Sequence, residues 1–159
     1  MRANLVTFGC CLWPLVTLAA FPTVDCQALH TAGFHDYPGG DEVYEAALFH
    51  PAQFRLAENA FLMTNLAGKE LGVDLYLTLA RPDEADYETE LECRGVRGTA
   101  NARGYSCVNN PPSEMLLINA ETLRFTRTAV GGWTFTGAGA VDSGDSIYVE
   151  YGNCRPVED

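Results

Sequence analysis

Lysine is almost missing from this chain. Lys69 is the single one, and 10 Lys+Arg residues stand against 21 Asp+Glu, a formal charge of -11. Binding to nucleic acid requires clustered cations that neutralise phosphates and release counterions, so this balance argues against nucleic acid as a partner. It disfavours anionic membrane surfaces for the same reason. A cationic protein or envelope component fits better, and plain solubility explains such a charge equally well.

Long apolar runs are scarce after residue 20. None reaches the ~18 consecutive residues of a membrane-spanning helix, so the mature chain is expected to be soluble, with no transmembrane segment. Catalytic signatures are missing too. There is no G-x-S-x-G elbow and no H-E-x-x-H, and the serines at 106, 113, 143 and 146 have no local base. No cofactor is implied. Among so many carboxylates, nothing singles out a pair for glycoside hydrolysis.

What the chain does contain begins with a secretion signal. Arg2 precedes an apolar run from Leu5 to Ala20, broken by Pro14, and the polar shift at Thr23 and Asp25 follows. Residues 1–20 are therefore read as a signal peptide, with cleavage between Ala20 and Gln27 and a periplasmic or extracellular destination. Of six cysteines, Cys10 and Cys11 leave with the signal. Cys26, Cys93, Cys107 and Cys154 remain, an even number that suits two disulfides in an oxidising compartment. Three connectivities are open, and loop-closure entropy slightly favours Cys93 with Cys107, leaving Cys26 for Cys154.

The rest of the pattern is β. At 47% hydrophobic residues with 15 glycines and 8 prolines, the composition is that of one ordinary globular domain. Residues 21–40 show no sustained period and are expected to be irregular, ahead of a single β-domain over 41–159. Asp41 to Phe49 suits a short helix or a first strand, and Ala60 to Thr64 is read as strand. Val73, Leu75, Leu77 and Leu79 share one strand face. Met115 to Asn119 and Thr122 to Thr128 make the best hairpin, and Trp133 to Thr136 and Ser146 to Tyr151 follow as strands. The sum is an all-β fold of about eight strands, a small antiparallel barrel or sandwich, with room for one short N-terminal helix. The expected core comprises Leu75, Leu77, Leu91, Leu116, Ile118, Leu123, Phe125, Trp133, Ile147, Val149 and Tyr151.

Two clusters carry chemistry. Asp86, Glu88, Glu90 and Glu92 alternate with Tyr87, Thr89, Leu91 and Cys93, giving a strand with one wholly anionic face. The arginine-rich loop with Arg94, Arg97 and Arg103 follows at once. Those arginines, with Arg124 or Arg127, would neutralise the stripe by cross-strand pairing; the alternative is a contact surface for a cationic partner. The second cluster is His30, His35 and Asp36 with His50 nearby, side chains suited to zinc or a similar metal, although no spacing motif fixes them. Trp133, Phe135 and Tyr148 read as core ahead of a ligand platform.

The size, the disulfides, the Tyr105-Ser106-Cys107 strand and the Trp-Gly-rich hairpin together resemble the periplasmic lysozyme-inhibitor barrels in size and class. That family's Ser-Gly-x-Arg-Tyr loop has no counterpart in Asn101-Ala102-Arg103-Gly104-Tyr105, and membership does not follow. The functional expectation is an exported, non-catalytic binding or inhibitor-type module. The alternatives are a metal-dependent hydrolase built on the histidine cluster, or a structural envelope component.

Overall fold

The computed structural model describes residues 21–36, 44–65, 72–82, 88–97, 103–110, 113–130 and 146–158. The expected signal at 1–20, Asp86 and the strand Trp133 to Thr136 lie outside these residues. Nine strands and one helix follow in order: β1 Val24–Asp36, β2 Tyr44–Ala47, β3 Gln53–Glu58, α1 Ala60–Asn65, β4 Leu75–Ala80, β5 Glu88–Arg97, β6 Arg103–Val108, β7 Glu114–Asn119, β8 Arg124–Ala129 and β9 Ser146–Pro156. From β3 to β9 each strand pairs antiparallel with the next, and β1 closes the sheet by pairing with both β3 and β9. The result is an eight-stranded antiparallel barrel, with β2 added to the far half of β1 as an extra strand. Closure removes the open edges that a flat sheet of this size would present.

The interior follows the alternation of the sequence. Leu75, Leu77 and Leu79 of β4, Leu91 and Cys93 of β5, Leu116 and Ile118 of β7 and Phe125 of β8 point inward and pack in one cluster. Both disulfides form, Cys26–Cys154 and Cys93–Cys107. Each joins residues that stand directly opposite in register, the first across the β1–β9 closure and the second across β5–β6.

Several expectations are corrected. Residues 21–40 are largely not irregular: Val24–Asp36 is a strand of 13 residues. Its period is hidden because the register shifts between Ala28 and His30. Val24, Cys26 and Ala28 are buried before the bulge, whereas Thr31 faces inward after it, so two alternations of opposite parity are spliced together.

Before residue 65, the first segment takes the strand alternative, and Ala60 to Thr64, expected as strand, is helix. Tyr44–Ala47 is strand because it can pair with β1. Ala60–Asn65 is helix because Asn59 caps it, its side-chain oxygen accepting the Leu62 N–H at 3.0 Å and its carbonyl accepting the Met63 N–H at 2.9 Å.

The last strand is turned over. Ile147 is only half-buried, while Val149 and Tyr151 are 46% and 51% exposed. Glu150, Gly152 and Cys154 occupy the buried positions instead. Cys154 must face Cys26, which fixes the parity of the whole strand. Gly152 must be glycine, since a Cβ there would lie 2.1 Å from the Gln27 carbonyl oxygen and 2.8 Å from Ala28 Cα. Leu123, also expected in the core, is half-buried in the β7–β8 turn at φ 54°. Asn119 builds that turn, its side-chain oxygen accepting the N–H groups of Glu121 and Thr122, each at 2.9 Å. The Leu123 carbonyl then accepts the Cys154 N–H at 2.7 Å, tying the turn to β9.

Candidate functional site

On β5 the even-numbered positions face outward. Glu88, Glu90 and Glu92 therefore stand in a row on the barrel exterior, opposite Ala80, Thr78 and Tyr76 of β4. Helix α1 lies over the outer face of β4. Asn59 Nδ2 donates to Thr78 Oγ1 at 3.1 Å, and the Met63 sulfur accepts the Tyr76 N–H at 3.3 Å, so Tyr76 is buried although it points away from the core. On the other side of the acidic row sits Asn109. Its side-chain oxygen accepts the N–H groups of Ser113 and Glu114, each at 2.8 Å, and this locks the turn between β6 and β7.

Between these two walls lies a groove of ≈ 710 Å³, with Asn59 and Leu62 on one side, Asn109 and Asn110 on the other, and the three glutamates along it. Among the described residues no arginine pairs with Glu88, Glu90 or Glu92. Arg94 continues their face one step further, and Arg97 and Arg103 sit opposite each other in register at the far end of the β5–β6 hairpin. Of the residues expected to form one surface, the structure brings Glu88, Glu90, Glu92 and Arg94 onto one face. Neighbours on one face of a strand are ~6.6–7 Å apart, too far for a shared ion and close enough to sum their fields.

Arg127, a candidate for neutralising that stripe, is inside the barrel. Its guanidinium is 1% exposed and donates to Glu150 Oε1 at 2.9 Å and Glu114 Oε1 at 2.7 Å. It lies 5.5 Å from the ring centres of both Phe54 and Tyr148. Arg81 approaches Glu114 at 3.6 Å, and Thr31 Oγ1 donates to the second oxygen of Glu150 at 3.2 Å. Burial alone would lower the Arg127 pKa, but Tyr148 when ionised, and the carboxylates of Glu114 and Glu150 throughout, raise it, so it remains a cation. The Tyr148 phenol is pushed up, chiefly by burial. This cluster caps the polar end of an otherwise apolar interior.

The histidine cluster is taken apart by the strand it lies on. His30 faces outward and stacks on Tyr151 with ring centres 5.4 Å apart. His35, an odd number of residues further along β1, faces the other way, with Nδ1 2.8 Å from Ser146 Oγ. His50 is exposed beyond β2, and the Asp36 side chain lies outside the described residues. Among the described residues no group of three or more His, Cys, Asp or Glu is arranged to hold a metal. The His35–Ser146 contact joins residues 111 apart, and only the pairing of β1 with β9 reveals it.

Compared with known proteins, the chain matches no protein-family model, no curated protein and no solved structure.

Proposed function

We propose that the protein is an exported, non-catalytic binding module that offers the groove along Glu88, Glu90 and Glu92 to a cationic partner. One observation carries this: three carboxylates with no arginine counterion among the described residues stand in a row inside a walled groove. The scaffold suits the role. The Cys93–Cys107 bond lies one residue beyond Glu92, and a rigid strand face loses little entropy when a partner docks. The two disulfides fit an oxidising compartment, and the leader-like residues 1–20 supply the route to it.

The test uses a short arginine-rich peptide as probe, titrated by heteronuclear NMR. Shift changes are expected at Glu88 to Glu92, Asn109 and α1. Glu88→Lys/Glu90→Lys is expected to weaken binding about tenfold or more, an effect that grows at low salt. Glu45→Lys/Glu121→Lys makes the same change of net charge at exposed positions elsewhere and serves as control. Equal loss in both double variants would mean that the peptide senses only net charge, and the groove reading would fail.

A further inference from the structure

At the junction between the expected leader and the barrel, one carboxylate meets a backbone N–H where a counterion would suit it better. Phe21 is 8% exposed and belongs to the core cluster, and its backbone N–H donates to Glu58 Oε2 at 3.0 Å. Glu58 ends β3 on the inward row of Phe54 and Leu56, opposite the buried Leu77. It is half-buried there, and among the described residues the Phe21 nitrogen is the one donor to its carboxylate and no cation pairs with it. Arg127 is out of reach, because the Phe54 ring beside it stands four residues back along β3, ~13 Å away.

A carboxylate drawn partly out of water is costly unless a charge matches it. An amide N–H gives it one hydrogen bond and no charge. In a chain that begins at Phe21 the same nitrogen is an α-ammonium, and the bond to Glu58 becomes charge-assisted. The fold brackets the cut from both sides. Starting later would remove the Phe21 ring from the core and then the Thr23 carbonyl, which accepts the Val157 N–H at 3.0 Å. Ala19 and Ala20 are each small enough to precede a leader cleavage site. A cut after Ala19 would carry the ammonium one residue, roughly 3.3–3.6 Å of chain, past the nitrogen that Glu58 holds. A cut after Ala20 puts it on Glu58.

We propose that the leader is removed between Ala20 and Phe21, and that the new α-ammonium pairs with Glu58 and fixes the mature terminus to the end of β3. A peptidase of the export route adds one water across the bond, leaving a carboxylate on Ala20 and an ammonium on Phe21. This rests on the export reading and adds to it the processing site and its counterion.

The full chain, expressed with its own leader in a host that exports it, is read by N-terminal sequencing and intact mass. Phe21 is expected as the first residue. A chain that starts at Ala20, or after Phe21, overturns the proposal and leaves export standing, whereas a chain that keeps its leader overturns both. The ion pair has a separate readout. Lys69 is the single lysine, so acylation of the α-amine is resolved by peptide mass. The amine reacts unprotonated, and a carboxylate beside it raises its midpoint above the ordinary value of about 7.7–8.0. Glu58→Gln is therefore expected to speed acylation about three- to tenfold at pH 7 and to leave it unchanged at pH 10, where the amine is unprotonated in both proteins. Glu45→Gln, at an exposed position, should change neither rate. The unsubstituted protein's own profile needs no variant, and a midpoint at or below about 8 overturns the pairing. So do equal rates at pH 7 in the two proteins, or a difference that persists at pH 10 and thus reports access instead of charge.

Discussion

Replacing Arg127 by methionine tests the least conventional part of this barrel, its buried ionic cap. Methionine keeps much of the volume between Phe54 and Tyr148 but removes the cation that Glu150 and Glu114 face at 2.9 and 2.7 Å. Glu150, 1% exposed, then becomes a buried carboxylate whose remaining described hydrogen bond comes from Thr31. Breaking a buried pair by deleting one partner costs about 3–5 kcal/mol. Domains hold only about 5–15 kcal/mol in total, so a third or more of the stability is at stake.

At roughly 2–4 °C per kcal/mol for a chain of this size, melting should fall by about 6–20 °C. The sign of the pH dependence is diagnostic. In the variant the stranded carboxylates take up protons more readily when folded than when unfolded, so its stability rises as pH falls. The deficit is therefore largest near neutrality and shrinks on acidification. Removing both charges, as Arg127→Met/Glu150→Leu, leaves Glu114 its contact with Arg81 and should recover most of the loss. Urea unfolding from pH 4 to 8 reads all three proteins. A loss under about 1 kcal/mol at pH 7, a double variant no better than the single one, or a deficit that deepens in acid would refute the reasoning.

The disulfides should differ in worth. Cys26–Cys154 closes 128 residues and Cys93–Cys107 only 14, so replacing the first pair by alanines should cost nearly 5 kcal/mol and the second roughly 3; the reverse order in urea unfolding would contradict the chain-entropy account. Asp25 should titrate below the ordinary carboxylate range by carbonyl NMR, and Arg55→Gln should move it upward, because the Arg55 hydrogen bond is the main cause of the shift. A depressed carboxyl stabilises above its unfolded pKa, so this contribution is lost as pH falls through the folded value, and an Asp25 midpoint indifferent to Arg55→Gln would be inconsistent with it. Gly152→Ala should destabilise by about 1–3 kcal/mol or more, since its methyl group meets β1 backbone and not a side chain that can turn aside; a variant that melts like the parent would show that the closure is looser than described.

What could be read in advance divides along physical lines. The acidic row was legible because β5 alternates strictly, so which face each residue takes needs no knowledge of its neighbours, and the same holds for Leu75, Leu77 and Leu79 of β4. Chain entropy only slightly favoured the Cys93–Cys107 and Cys26–Cys154 pairing over two other connectivities, and it is the pairing that forms. Parity failed wherever a tertiary contact outranked hydrophobicity. On β9 the apolar set Ile147, Val149 and Tyr151 predicts one face, yet Cys154 and Gly152 are bound to β1 on the other, and Glu150 is carried inward with them. An inward glutamate is tolerable only because Arg127, 23 residues earlier, is carried inward on the neighbouring strand. Neither residue announces this alone, since Arg127 looks like an ordinary outward charge among Thr126 and Thr128. The acidic row is the contrary case: Glu88, Glu90 and Glu92 alternate along one strand, so their common face needs no neighbouring strand to be read.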